Sequence, residues 1–130
     1  MKRQSKYSVK ETADRFESAI KAKGITLFAR INHSENAKKV DKELRPTELI
    51  IFGNPKAGTP LMLSNQTIGI DLPQKALIWE DESGKVWVAC NKPKYLAKRH
   101  NITDQDGLIK NIKKLLGTIM NESCGISEDK

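Results

Sequence analysis

The segment from residue 76 to residue 90 limits the folds open to this chain more than any other. Two strand-prone runs, residues 76–79 and 85–90, flank Asp81-Glu82-Ser83-Gly84, whose residue types build tight turns. In the second run Val86, Val88 and Cys90 point one way while Trp87 and Ala89 point the other, because side chains alternate along a strand. An antiparallel hairpin with an apolar face must bury that face against another layer.

Two amphipathic helices offer the cover. Ser8-Val9-Lys10-Glu11 has the capping-box spacing, and Val9, Ala13, Phe16 and Ile20 then share one face. Gly24 ends this helix, predicted over residues 9–23. The last helix is predicted to start near Thr103, with Leu108, Ile112, Leu115 and Ile119 on one side. Beyond Asn121 the sequence is polar, so residues 1–121 are read as one domain and residues 122–130 as a tail expected to be flexible.

Between the helices lie further strands. Ile25, Leu27, Ala29 and Ile31 alternate onto one expected face. Leu49-Ile50-Ile51-Phe52 is a continuous apolar run, the pattern of a strand buried on both sides. Thr59-Pro60 reads as an N-cap with proline at the first helical position, opening a short helix through Leu63. A further short helix is expected over residues 92–100, with Pro93 in its first turn. The fold class is α+β: an antiparallel sheet with two main helices packed on one face.

Charge and cysteine content narrow the function classes. With 23 Lys and Arg against 16 Asp and Glu, the net charge is +7. The lysines are spread from end to end and form no arginine-rich stripe, so nucleic-acid binding is a weak alternative resting on charge alone. No apolar run is long enough to cross a bilayer, and no apolar stretch follows the basic start as a signal peptide requires. Cys90 and Cys124 lack C-x-x-C spacing, and no structural disulfide is expected. A cytoplasmic location without membrane attachment is expected.

Chemistry-bearing positions are few. Gly53-Asn54-Pro55-Lys56-Ala57-Gly58-Thr59 has the glycine spacing of a phosphate loop, yet Thr59 stands where the lysine belongs and Pro60 removes an amide. A weaker anion site is conceivable from Asn54, Lys56, Gly58, Thr59 and free amides at a helix start. Turn demands alone also explain these residue types. His33 and His100 are the histidines. With Cys90 they offer the alternative of a metal or catalytic site, but no ligand spacing joins them. Asp71, before Leu72-Pro73, is expected to cap backbone amides. Trp79 and Trp87 face each other across the hairpin, as a core pair or a dimer seam. No catalytic constellation, metal site or cofactor motif is assigned.

Phe28-Ala29-Arg30-Ile31-Asn32-His33, the run from Leu49 through Gly58 to Met62, Ile70-Asp71-Leu72-Pro73, and Tyr95-Leu96-Ala97-Lys98-Arg99-His100 together resemble the domain of unknown function 302 family. The resemblance implies a β-α-β-β-β-β-α-like layout in the TATA-binding-protein-like group of folds and a tendency to form homodimers. It implies no activity. Asn32 stands where the family usually has aspartate, which weakens any role for an acid in orienting His33. Cys90 stands where the family usually has tyrosine. The favoured expectation is a non-catalytic binding or assembly domain, homodimeric, with a small and anionic ligand in a cleft near residues 53–59. His33 and His100 are named with that cleft.

Overall fold

The computed structural model describes residues 1–127. Five strands form one fully antiparallel sheet: β1 (Lys2–Ser5), β2 (Thr26–Asn32), β3 (Thr47–Gly53), β4 (Gln74–Glu80) and β5 (Val86–Cys90), in the spatial order β1-β5-β4-β3-β2. The helices are α1 (Val9–Ala22), α2 (His33–Lys38), α3 (Pro55–Ser64), α4 (Pro93–Arg99) and α5 (Asp106–Cys124), with a 3-10 helix at Gln66–Ile70. Without the short helices the order is β-α-β-β-β-β-α, the layout that the family resemblance implies.

Helix α1 begins where Ser8 accepts a hydrogen bond from the Glu11 amide and ends before Gly24, whose φ of 72° only glycine adopts readily. It packs with α5 over one face of the sheet. Phe16, Ile20, Ile50, Phe52, Ala76, Ile78, Val88, Leu116, Ile119 and Met120 fill the space between. Phe16 and Phe52 meet edge to face at 5.1 Å. Ile50, Ala76, Ile78 and Val88 are completely buried.

Strand β2 departs from its expected regular alternation. A bulge at Phe28 breaks the register with β3: Leu27 pairs with Phe52, and Ala29 pairs with Ile51. The extra residue reverses which face the following side chains take. Ile25 and Leu27 therefore pack on the helical side, while Ala29 and Ile31 share the other side with Ile51 and Leu49. Arg30, turned toward the helices, donates to Glu48 at 2.8 Å, Asp14 at 2.8 Å and Glu17 at 3.3 Å. Burial alone would disfavour its charge, but those carboxylates raise its pKa above the ordinary arginine value.

Three more expectations are corrected, and one strand is new. Strand β1 was not legible in the residues; it adds to the edge at β5 by backbone bonds, and the Met1 ammonium donates to the Cys90 carbonyl at 3.0 Å. Helix α3 starts at Pro55 with Asn54 as its cap, so Pro60 lies inside the helix and Thr59 is no N-cap. Helix α5 starts at Asp106, three residues later than predicted. It also runs on to Cys124, with Ser123 and Cys124 fully buried. The Cys124 carbonyl accepts from the Lys6 amide. The expected flexible tail therefore does not begin at residue 122; its last part, residues 128–130, lies outside the described residues. Gly125 closes α5 at φ 75°, against the ring of Tyr7.

Candidate functional site

Two features of the surface stand out. The first is the sheet face opposite the helices. From the registers, Gln4, Trp87, Trp79 and Thr47 make one row across it, and Lys2, Ala89, Leu77, Leu49 and Ile31 make the next. Lys75, Ile51 and Ala29 make a third. The apolar members of these rows are all half-exposed. The run 49–52 is thus buried on one side only: Ile50 and Phe52 are buried, while Leu49 and Ile51 are not. Trp79 and Trp87 are direct cross-strand partners on this open face. The Trp87 indole donates to Asp81 at 2.8 Å, and the Lys2 ammonium stands 4.5 Å from its ring centre.

The second feature is a partly enclosed cavity of about 220 Å³ at the end of the sheet where β3 runs into α3. Phe28, Phe52, Leu61, Met62, Leu72 and Leu116 form much of its wall, and the bulged Phe28 is 52% exposed. Gly53 lets this end close, since a Cβ there would stand 3.3 Å from the Pro73 Cβ.

Of the residues singled out in the sequence, Asn54, Gly58 and Thr59 line this cavity. Lys56 is exposed and does not. The amides expected to be free are engaged: Lys56 N–H donates to the Asn54 side chain, and the Ala57 and Gly58 amides donate to the Asn54 carbonyl. Pro55 has none to offer. Neither histidine lines the cavity. His33 opens α2 where β2 ends and β3 begins, whereas the 53–59 loop follows the other end of β3. The seven residues of β3 separate them, roughly 20 Å at strand rise.

His100 is buried in a network that the sequence did not reveal. Its Nε2–H donates to Asp71 Oδ2 at 2.6 Å, and its Nδ1 pairs with Thr67 Oγ1 at 2.9 Å. The Asn65 amide donates to the His100 carbonyl at 2.6 Å, and Arg99 reaches both Asp71 oxygens. Asp71 therefore anchors α4 through its carboxylate and does not cap amides as expected. The hydrogen bond from His100, with the nearby Arg99 charge, holds its carboxyl below the ordinary aspartate range. Acid, imidazole and hydroxyl stand in line, but Thr67 is also bound to Asn65 Oδ1 at 3.0 Å. That arrangement locks the 3-10 helix to the end of α4. Contacts spanning some 30 residues of chain leave no local sequence signal.

Cys90 points into the core, where burial pushes its thiol up to about 12. Both cysteines are free and buried. Among the described residues no three His, Cys, Asp or Glu side chains are grouped to hold a metal. Several lysines are taken by local acids, as in Lys10–Asp14, Lys21–Glu17 and Lys23–Glu122. No helix among the described residues is long and apolar enough to cross a membrane.

A five-stranded antiparallel sheet with helices on one face, an open apolar face behind and an apolar cavity at one end defines an α+β domain. Residues 1–121 match the model of the family described as domain of unknown function DUF302, and the chain belongs to that family. An uncharacterized conserved DUF302 protein from Bacillus stearothermophilus has the same fold, with a TM-score of 0.85 and 19% identity over 95% of this chain and 96% of that one. Among curated proteins, the chain is 46% identical over 123 residues to fluoride-specific ion channel FluC 1 of Brucella suis biovar 1 (strain 1330). It is equally similar to FluC 2 of Brucella melitensis biotype 1. These alignments cover 94% of this chain but 48% and 46% of the relatives, so the chain spans about half the length of the curated relatives it matches.

Proposed function

We propose that this domain is a non-catalytic assembly and binding unit, a homodimer formed through the open sheet face, with a small-ligand cleft near residues 53–59. The observation that carries the dimer is the set Ile31, Leu49, Ile51, Leu77, Trp79 and Trp87, apolar and half-exposed on a face without a covering layer. Five strands at a spacing of about 4.8 Å make a face roughly 20 Å wide. Two such faces together bury on the order of 1,000 Å², the lower bound for a specific interface. Sheets stacked this way interdigitate side chains about 10 Å apart.

Sedimentation of the purified chain tests the dimer. The expected result is a concentration-dependent monomer–dimer equilibrium, abolished in Leu49→Lys and Leu77→Lys, which leave the helix-covered core untouched. A chain that stays monomeric, or variants that dimerise unchanged, would remove the reading. The buried free thiols favour a reducing, cytoplasmic setting. In the longer relatives named as ion channels, a unit folded like this one would leave ion passage to the remaining half.

A further inference from the structure

The cavity between α3, α5 and the ends of β2 and β3 carries no charged side chain in its wall. We propose that it takes an uncharged, compact molecule, a single aromatic or alicyclic ring with at most one hydrogen-bonding substituent, and that it rejects anions. The proposal rests on the reading that the cleft near residues 53–59 is the ligand site, and it names the ligand class.

Three observations carry it. The volume of about 220 Å³ suits one ring with a substituent, since a dry cavity of about 150 Å³ lined by Leu, Ile and Phe binds benzene. The wall offers no countercharge, and burying an unpaired carboxylate or phosphate is strongly unfavourable. The amides at the start of α3, which could have served an anion, are bound to Asn54. The polar residues of the wall are Asn54, Thr59 and Gln74. One hydroxyl or amide on the ring would meet them.

Benzyl alcohol and benzoate share the ring and differ in charge, so titrating the full chain with each, read by methyl NMR, tests the class. Benzyl alcohol is expected to shift methyl signals of Ile25, Leu61, Met62, Leu72 and Leu116 and few others. Benzoate is expected to bind roughly tenfold more weakly or worse. Gly58 provides the control: a Cβ there would stand 3.7 Å from Leu72 Cδ1, an ordinary contact within a helix. Gly58→Ala should keep the fold, with an unchanged or higher melting temperature, and weaken benzyl alcohol several-fold. Gly58→Leu should abolish the shifts. Benzoate binding as tightly as benzyl alcohol, with both weakened by the Gly58 variants, would overturn the ligand class and leave the cleft standing. Absence of cavity shifts with benzyl alcohol, or binding indifferent to Gly58→Leu, would overturn the cleft and the class together.

Discussion

The two faces of the sheet are built from the same kinds of residue and meet different fates. On the helical face Ile50, Ala76, Ile78 and Val88 reach complete burial under α1 and α5. On the other face their strand neighbours Leu49, Leu77 and Trp87 stay half-exposed. Hydrophobicity therefore does not tell the faces apart; the layer above them does. A continuous apolar run such as 49–52 records that both sides of a strand are apolar, without saying whether each side is covered.

Neighbouring substitutions can break this comparison. The largest expected effect is Ile50→Ala, about 2–5 kcal/mol less stable in urea denaturation, because a cavity opens in a packed core. Leu49→Ala, one residue away, should cost under about 1 kcal/mol in dilute monomer; an equal loss would mean that the open face is covered within one chain. Gly125→Ala comes next. Its positive φ and a Cβ contact of 2.8 Å with Tyr7 should together cost about 2 kcal/mol or more by thermal melting.

Acid reports on the cavity end of the sheet. Because Asp71 titrates below its ordinary value when folded, the unfolded chain takes up that proton first as pH falls. Its stabilisation is thus complete above the ordinary aspartate range and is lost as pH drops through the folded value. Denaturation measured below about pH 4 should depend less steeply on pH in Asp71→Asn than in the unaltered chain. The smallest effect is an expected silence. Cys90, raised to about 12, and Cys124, also raised by burial, should not react with a thiol reagent at neutral pH until the chain unfolds. Ala89→Cys, on the open face beside Cys90, should react in dilute monomer and become protected as the dimer forms.

How far the sequence could be read follows from the range of the forces involved. Helix α1 was legible because Ser8, Glu11 and the Val9–Ile20 spacing act within a few residues of one another. The hairpin was legible for the same reason, down to the parity of Val86, Val88 and Cys90. Strand β1 was not, since Lys2–Ser5 is a polar edge held by backbone bonds to a distant strand. The start of α3 was misplaced because Pro55 and Pro60 both follow a capping-type residue, and only one precedes the helix. At the candidate site, the loop around Gly53 and Gly58 could be found from turn chemistry. The engagement of its amides, and the joining of Asp71, Thr67 and His100, depend on tertiary geometry that no local pattern encodes.

The bulge at Phe28 works as a change of parity in β2. Before it, odd-numbered side chains look toward α1; after it, even-numbered ones do. Pairing Phe28 in register, with no residue removed, would restore an unbroken zigzag in which either Leu27 or Arg30 must leave its present side. If Arg30 turned outward, Asp14, Glu17 and Glu48 would lose the cation they share, and a guanidinium would stand among Leu49 and Ile51. Loss of the bulge at constant length would thus corrupt both surfaces of the sheet at once, whereas deletion of Phe28 would leave Leu27 and Arg30 on the sides they now take.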